Sequence, residues 1–274
     1  MIGLGFGNFQ SVVGGFDPDA QAFITAAGIT GETQQAAINQ LVLDLKGIGS
    51  TTNNSDVWSS ATAIYPICPV DDSTATRTAY EFNLINASNF RITWQNNPTA
   101  TVNGITGNGT NQYGTTGIVT NTDLIENNTS LTISTSNSAS STVFGIGGSV
   151  GGALAETLGI LSTNSGNDIS SIMYGNIGRL NAVGVGTSGI QTATRNAAND
   201  HKIYLNGSQV ATQSTLSGTY PSIELYILSL NNNGVSNFHD RRTFNFFMIG
   251  NSLSANQAKD LSDGITTYNT ALGR

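Results

Sequence analysis

Apolar residues in the first fifty positions recur with a helical period. Asp17 is a favourable N-cap, Pro18 suits the first helical position, and Gly28 is a favourable residue for ending the helix. A second helix is indicated by apolar residues three and four positions apart, which are Ile38, Leu41, Val42 and Leu45. Gly47 ends this stripe. The pattern predicts a helical segment over 17–50.

From about residue 60 the period changes to two, which is typical of half-buried strands. The alternating apolar residues are Phe82 and Leu84, then Phe90, Ile92 and Trp94, and later Leu131 and Ile133. This alternation places Trp94 in the core. Clusters of Asn, Gly and Thr separate the apolar runs and are typical of turns.

The clearest local signal is a β-hairpin over 201–211. Its turn is Asn206-Gly207, a pair that favours a type I′ turn because both residues tolerate positive φ. The residue pairs expected across the turn are Leu205 with Ser208 and Ile203 with Val210. Further strands are predicted over 223–230 and 243–249.

The chain is predicted to end in a helix. Phe244, Phe246 and Met248 are expected to share one face of the strand before it, and Ser252 or Ser254 suits the N-cap. The apolar stripe of the helix consists of Ala258, Leu261, Ile265, Tyr268 and Leu272. Many short strands with frequent turns predict a mainly β fold, a β-sandwich over 51–274 that ends in this helix.

Residues 1–16 are predicted to form an extended, Gly-rich arm. Glycines alternate there with apolar residues, which are Leu4, Phe6, Phe9, Val12, Val13 and Phe16. So short a segment cannot bury these side chains by itself, so they need the rest of the chain or a neighbouring subunit. We expect an assembly arm, and a frayed terminus is the alternative.

Composition and charge exclude several classes of partner. Charged residues make up 10% of the 274 residues, against about a quarter in ordinary soluble proteins, and the net charge is −7. Nucleic acid and anionic membrane surfaces are therefore not expected as partners. No apolar run reaches the roughly 18 residues of a membrane span. The single cysteine, Cys68, lies in an apolar run and is predicted to be a buried thiol.

No motif for catalysis or metal binding is found in the sequence. The only histidines are His201 and His239, which argues against a histidine-based zinc site. No phosphate-binding loop and no nucleophile elbow are present. Asp71 and Asp72 could help to hold Ca²⁺ in a loop, with a solvated turn as the alternative. No cofactor is expected, and Ca²⁺ has no further support.

Paired acids would indicate a glycosidase, because some β-sandwiches carry two catalytic carboxylates. The Glu-x-Asp-x-Glu run of concanavalin-type glycosidases does not occur in this sequence. Asp123 and Glu126 are close together in the chain, but they are expected to be solvated beside a strand end. We therefore expect no enzymatic activity. A glycan-degrading enzyme is the third of three functional hypotheses, and the other two are given below.

One dense charged cluster, His239-Asp240-Arg241-Arg242, precedes the Phe-rich strand. It is either a loop in which an arginine pairs with Asp240, or a polar contact to sugar hydroxyls or a partner subunit. Tyrosines near turns could stack on sugar rings. The candidate glycan-binding residues are Tyr113, Tyr220, His239, Asp240 and Arg241.

Three parts of the sequence carry a family resemblance. They are FDPDAQAFITAAGIT at 16–30 with QAAINQLV at 35–42 and AIYP at 63–66, YLNGSQVA at 204–211, and FMIG at 247–250 with TYNTALGR at 267–274. The first and last resemble a module of virion proteins from phages of Bacteroidetes-type bacteria. The middle one resembles the Tyr-x-Asn-Gly hairpin of laminin G-like, concanavalin A-like sandwiches. The stretch over about 140–200 is rich in Gly and Ser and matches neither.

The resemblance implies a concanavalin A-like jelly roll built into a tail fibre, spike or head appendage. A virion structural protein is the first hypothesis, assembled in the host cytoplasm as a homo-oligomer, a trimer or a ring by analogy. It would contact other virion proteins through the arm over 1–16 and could attach to a host surface glycan. The alternative is a stand-alone, lectin-type adhesion module. The resemblance supplies no sugar or Ca²⁺ ligands.

Overall fold

Two β-sheets pack face to face in the computed structural model, which describes residues 15–151, 156–163, 167–174 and 179–274. In chain order the strands are β1 (Ala61–Tyr65), β2 (Thr93–Gln95), β3 (Thr99–Thr101), β4 (Gly104–Thr106), β5 (Tyr113–Val119), β6 (Thr129–Thr135), β7 (Val143–Val150), β8 (Glu156–Thr163), β9 (Asp168–Met173), β10 (Leu180–Ala182), β11 (Gly189–Ala197), β12 (Asp200–Leu205), β13 (Ser208–Gln213), β14 (Glu224–Ile227), β15 (Leu230–Asn232), β16 (Val235–Asn237) and β17 (Thr243–Gly250).

Sheet A has eight strands, in the order β13-β12-β11-β6-β17-β4-β3, and β1 also pairs with β17. Sheet B has nine strands, in the order β10-β9-β8-β7-β14-β5-β2, and the β15–β16 hairpin attaches to β7. The β15–β7 pair is parallel, whereas the pairs that build the two main sheets are antiparallel. The predicted mainly β, jelly-roll sandwich is confirmed, and its strand order requires many crossovers between the sheets.

The long helices lie at the two ends of the chain, as predicted. The longer ones are α1 (Pro18–Ala27), α2 (Glu32–Leu45) and α4 (Ala255–Ala271), and α3 is a single turn, Thr120–Asp123. The Asp17 side chain caps α1, and Gly28 ends it in the left-handed conformation at φ +67°. Ser254 caps α4 through a reciprocal capping box with Gln257.

Two apolar layers hold the chain together. The first fills the space between the sheets and includes Leu131, Ile133 and Ile160. The second lies between the outer face of sheet A and helices α1, α2 and α4, and it includes Leu41 and Leu261. Because sheet A is covered on both faces, its central strand β6 is buried at every position. The helical segment therefore packs directly on the sandwich.

Strand β17 lies between these two layers, which corrects one prediction. Phe244, Phe246 and Met248 were expected on one face, but the pairing of β17 with β6 shifts register between the first two. Phe244 faces the sandwich interior, together with Phe247 and Ile249. Phe246 and Met248 face the helices. The shift resets the alternation, so the strand supplies aromatic residues to both layers.

One of the predicted strand segments is a loop. Phe82 and Leu84 follow a 3-10 turn, Ala79–Glu81, and belong to no strand. The Leu84 N–H donates to the Ile64 carbonyl over 2.8 Å, and the Asn83 side-chain oxygen accepts from the Ile64 N–H over 3.0 Å. These two bonds satisfy the edge of β1 without a further strand.

Residues at positive φ shorten two other predicted strands. Phe90 has φ +53°, so the alternation through Ile92 does not form a strand until β2 begins at Thr93. Leu228 has φ +62° and separates β14 from β15 within the strand predicted over 223–230. Such kinks in single non-glycine residues leave no signature in the hydrophobic pattern.

Two Gly-containing strands, β7 and β8, lie at the centre of sheet B. Strands β7 and β8 pair along their full length, and the ring of Phe144 lies over the glycines of both. A Cβ at Gly147 would lie 2.7 Å from a ring carbon of Phe144, and one at Gly159 would lie 2.8 Å from another. The glycines therefore make room for a phenylalanine on the outer face of the sheet.

Cys68 is buried, as predicted, and its burial raises the pKa of the thiol to about 12. None of the described helices has the length and apolar character needed to cross a bilayer. Phe16, the last residue of the predicted arm, is 36% exposed. The arm's other apolar residues lie outside the described residues, and they are Leu4, Phe6, Phe9, Val12 and Val13.

The predicted hairpin is present, with one irregularity. Asn206 and Gly207 have φ +49° and +78°, as the type I′ turn requires. Leu205 pairs with Ser208 as predicted, but Ile203 pairs with Ala211 because a bulge follows it. The Asn206 side-chain oxygen also accepts a hydrogen bond of 2.9 Å from the backbone of β11. The turn is thus tied to the next strand of sheet A.

Replacing Asn206-Gly207 by Ala-Ala should lower the free energy of unfolding by about 1–2 kcal/mol for each residue forced to positive φ. The loss should exceed this backbone cost, because a Cβ at position 207 would lie 2.8 Å from the side chain of Lys259. The matched control is the same exchange at Asn233-Gly234, where φ is also positive and the glycine has open space around it. Urea unfolding measures both variants, and an equal loss in the two would contradict the packing argument.

His201 of β12 is buried, in contact with residues of β9 and β13. His201 has no exposed surface, and its Nε2 lies 2.7 Å from the Ser171 hydroxyl and its Nδ1 3.0 Å from the Gln213 amide. Burial and the nearby Arg195 lower the pKa of His201 to about 3. The imidazole is neutral in the folded protein under ordinary conditions.

His201 should make the protein less stable in acid. Below pH 6.5 the unfolded chain binds a proton at this residue, whereas the folded protein does so only near pH 3. The unfolding free energy should therefore fall by up to about 1.4 kcal/mol per pH unit within this window. His201→Gln removes this contribution, so its stability should decline less steeply between pH 6 and pH 4 in urea titrations. Parallel pH profiles for the two proteins would be the contrary result.

Candidate functional site

Three of the five predicted glycan-binding residues lie around one groove beside sheet B. Tyr113 opens β5, and its ring lies 6.1 Å from the ring of His239. Tyr113 also stacks on Tyr226 of β14, with ring centroids 4.9 Å apart. Arg241 lies on the wall of the same groove. We call it the His239 groove; its volume is about 360 Å³, and it is lined by Asn108, Gly109, Thr110, Ser140, Ser141, His239 and Arg241.

One wall of the His239 groove is a rigid loop over 108–112. The Asn108 side-chain oxygen accepts hydrogen bonds from the backbone N–H groups of Thr110, Asn111 and Gln112, at 2.9, 3.0 and 3.3 Å. Gly109 has φ +74°, and a Cβ there would lie 3.4 Å from the Cβ of Arg241. The positive φ of Gly109 therefore sets the loop conformation, and the side chain of Arg241 lies beside it.

The charge of the His239 groove is set by Arg241 and His239. Arg241 is exposed and forms no ion pair within the described residues. His239 is half-buried, and its Nε2 has no hydrogen-bond partner in the part of the chain that the structure describes. Partial burial lowers the pKa of His239, so the imidazole is neutral at pH 7. The groove thus combines one cation with one neutral ring.

Asp240, the fourth predicted residue, does not face the groove. It is fully buried, and it accepts hydrogen bonds of 2.9 and 2.6 Å from the guanidinium of Arg242. A third guanidinium N–H of Arg242 donates to the Thr187 carbonyl at 2.6 Å. A buried pair whose hydrogen bonds are satisfied in this way is structural. Asp240 therefore anchors the loop that carries His239 and Arg241.

Tyr220, the fifth predicted residue, lies elsewhere. Its hydroxyl donates to the carbonyl of Thr120, which follows the last residue of β5, whereas Tyr113 is the first. Its ring meets that of Tyr174 edge-on, with centroids 4.4 Å apart. Tyr220 therefore packs at the opposite end of β5 and does not join the His239 groove.

A larger groove, which the hydrophobic pattern did not indicate, lies around Trp94. The indole was expected in the core, but it is only half-buried and forms part of the groove wall. We call this the Trp94 groove; its volume is about 620 Å³, and it is lined by Ala75, Thr76, Arg77, Thr78, Glu81, Thr93, Trp94, Asn97, Thr99 and Ala100.

The indole is held in a fixed orientation. Its Nε1–H donates to the Arg77 carbonyl at 3.1 Å. Its ring packs over Gly114 of β5, where a Cβ would lie 3.0 Å from the ring. Glu81 pairs with Arg91 at 2.7 Å, whereas the exposed Arg77 forms no ion pair within the described residues. The groove therefore presents a rigid aromatic face with charges of both signs.

A single ridge separates the two grooves. The side-chain amide of Gln112 donates to the carbonyls of Asn96 and Asn97, at 2.9 Å each. The Asn96 side chain donates to the Asn111 carbonyl at 2.8 Å. Asn97 lines the Trp94 groove, and Asn108 at the other end of the ridge lines the His239 groove. These bonds fix the grooves relative to one another.

The acids weighed as metal or catalytic groups serve local turns. Asp71 accepts hydrogen bonds from the backbone of Ser73 and Thr74 at 2.8 Å. Asp72 accepts from the side chain of Gln34. Asp123 accepts from the Val119 N–H at 2.7 Å. Among the described residues, no group of three or more His, Cys, Asp or Glu side chains is placed to hold a metal ion.

The signal that could have identified the Trp94 groove is its polar surroundings. Strand β2 has only three residues, and Asn96 and Asn97 follow it, both at φ +56°. The other wall is polar as well, over Thr76-Arg77-Thr78. A tryptophan at the end of a short strand, facing polar loops, is more accessible than the same residue inside a long one.

No known family model matches this sequence, and no curated protein matches it either. Solved structures share its fold at low sequence identity. A sialidase of Trypanosoma rangeli, in complex with 2-keto-3-deoxy-D-glycero-D-galacto-2,3-difluoro-nononic acid, is 13% identical with a TM-score of 0.50, over 74% of this chain and 32% of that one.

Two further structures have lower TM-scores. The NanB sialidase of Streptococcus pneumoniae is 12% identical with a TM-score of 0.42, over 50% of this chain and 24% of that one. The CBM40 of the Ruminococcus gnavus IT-sialidase is 12% identical with a TM-score of 0.40, over 51% of this chain and 84% of that one. The matches span a third or less of the two sialidase chains. What this chain shares with the Trypanosoma rangeli sialidase is the β-sandwich fold.

Proposed function

We propose that this chain is a carbohydrate-binding β-sandwich and that its ligand occupies the Trp94 groove. The observation that carries this proposal is a half-buried indole, locked by its N–H to the Arg77 carbonyl, in the wall of an open groove of about 620 Å³. Ligand sites are concave and combine apolar and aromatic surface with a few placed polar groups.

The groove suits the two surfaces of a sugar ring. A pyranose has an apolar face of C–H groups, which can lie on the indole of Trp94, and a rim of hydroxyls. The hydroxyls can donate to Glu81 and accept from Arg77, and both side chains line the groove. Because the indole is already fixed, little conformational entropy is lost when a ligand stacks on it.

The fold adds an analogy. The Trypanosoma rangeli sialidase that shares the sandwich was solved with a sugar derivative bound. Fold likeness alone does not transfer a function, so the proposal depends on the groove rather than on the neighbour. We propose binding without cleavage, because Asp123 is engaged with the backbone of a turn, and no pair of acids lines the described part of the Trp94 groove.

Trp94→Ala should abolish most of the glycan binding. The full-length chain is first screened on an array of bacterial surface polysaccharides and neutral oligosaccharides, and the best ligand is then titrated calorimetrically. Loss of the stacking face should weaken binding at least tenfold, which is about 1.4 kcal/mol. Arg77→Gln, at an exposed position, should weaken binding without altering thermal stability.

Trp58→Ala is the matched control. Trp58 is also half-buried, but it packs in the helical layer, where Lys46 lies 5.1 Å from its ring. Its replacement should leave the affinity unchanged. Failure of every glycan to bind at micromolar protein, or equal losses in the two tryptophan variants, would count against the Trp94 groove.

We further propose that the module is displayed on a phage particle. This part rests on the sequence resemblance at 16–30, 35–42, 63–66, 247–250 and 267–274, and on the apolar residues of the arm over 1–16. The stand-alone adhesion module is the alternative, and both share the glycan-binding groove.

Deletion of residues 1–16 should leave a folded protein that no longer joins particles or forms the homo-oligomer, because the apolar side chains of the arm are removed. Light scattering with and without purified particles measures both properties. Normal incorporation of the shortened chain would refute the anchoring role, and a full-length monomer indifferent to particles would favour the adhesion module.

A further inference from the structure

We infer that the His239 groove is a second sugar subsite, specific for a carboxylate-bearing residue of the same glycan that occupies the Trp94 groove. This inference rests on the proposed function and adds to it the chemical class of the ligand, an acidic oligosaccharide. It follows from an arginine, an imidazole and the position of one ridge.

Two consecutive arginines have different roles. Arg242 is buried, and its guanidinium is saturated by Asp240 and the Thr187 carbonyl. Arg241 is exposed, and its guanidinium has no carboxylate partner among the described residues. Its stem lies beside Gly109, where a Cβ would be 3.4 Å from the Cβ and 3.5 Å from the Cδ of Arg241. An exposed guanidinium without a carboxylate partner can bind a ligand carboxylate through two parallel N–H donors.

The imidazole of His239 supplies a neutral polar group beside this cation. Its Nε2 is shielded from solvent and has no hydrogen-bond partner in the described part of the chain. A shielded nitrogen without a partner is costly, and a small opening of the groove that admits a ligand hydroxyl or a bridging water would satisfy it. Because partial burial lowers the pKa of His239, the ring adds no second positive charge at pH 7. The single positive charge of Arg241 can therefore pair with one carboxylate of the ligand.

The remaining wall suits a sugar better than a simple anion. Ser140, Ser141 and Thr110 line the groove with hydroxyl-bearing side chains, and the ring of Tyr113 lies beside His239. Hydroxyl groups both donate and accept, which suits a polyol. The net charge of −7 disfavours a polyanion, and Arg241 is the one cation among the described residues that line this groove.

The ridge joins the walls of the two grooves. Gln112 and Asn96 tie the loop over 108–112 to the turn after β2, so the grooves lie on its two sides at a fixed separation. A glycan that crosses the ridge can place one residue on Trp94 and an acidic residue at Arg241. The second contact is then intramolecular, which raises the affinity above that of either groove alone.

The test is a titration of the ¹⁵N-labelled full-length chain followed by NMR. The acidic probes are glucuronate, galacturonate and N-acetylneuraminate, the neutral probes are glucose and galactose, and inorganic phosphate is the simple anion. At least one acid should shift the amide signals of 108–112 and 239–241. It should bind at least tenfold more tightly than the neutral sugars and phosphate.

Arg241→Gln should weaken the binding of that acid at least tenfold. Arg179→Gln is the matched control, because it removes one exposed positive charge outside both grooves and should change nothing. The inference is overturned if none of the three acids shifts these amides, if neutral sugars or phosphate bind there equally well, or if the two arginine variants lose the same affinity.

Failure of this inference can be told apart from failure of the proposed function. The indole N–H signal of Trp94 and the amides of 76–78 report on the Trp94 groove separately. If neutral oligosaccharides shift only these signals and Trp94→Ala abolishes the effect, glycan binding in the Trp94 groove is supported and the acidic subsite is refuted. If acids bind at Arg241 while no oligosaccharide perturbs the signals of Trp94, the proposal that the Trp94 groove binds glycan is refuted instead.

Discussion

Strand β17 has neither a face nor an edge in solvent. One face packs into the sandwich interior through Phe244 and Phe247, and the other lies under the helices through Phe246 and Met248. One edge pairs with β6, and the other pairs with β1 and β4. Every polar backbone group of the strand must therefore be satisfied by protein, and every side chain must fit a packed space. The charged cluster before it and α4 after it take their positions from this strand.

The elements that could be predicted are those set by local chemistry. The helices α1 and α2 could be predicted from Asp17, Gly28 and a stripe of apolar residues, and the hairpin could be predicted from Asn206-Gly207. The division of β17 between two apolar layers could not be predicted, because it arises from a register shift against β6 that depends on distant residues. The same holds for positive φ at Phe90 and Leu228, where tertiary packing overrides the preference of the side chain.

The candidate site divides in the same way. A charged run and a tyrosine near a turn were sufficient to identify Tyr113, His239 and Arg241 as candidate site residues, since polar loops beside strand ends face solvent. The sequence left open which arginine pairs with Asp240, and the answer, Arg242, depends on the Thr187 carbonyl more than fifty positions away. Trp94 was assigned to the core because alternation reports which side of a strand a residue occupies, not how long that strand is.

Phe144 adds a constraint of an evolutionary kind. Its ring occupies the volume that side chains at Gly147 and Gly159 would need, on two different strands of sheet B. The residues tolerated at these three positions are therefore interdependent: a larger residue at either glycine requires loss of the aromatic ring, and at Gly147 also a shift of Leu230, 2.9 Å from the added Cβ. Homologous chains should therefore change at these sites together, so that two of the glycines in β7 and β8 reflect the space taken by one bulky side chain.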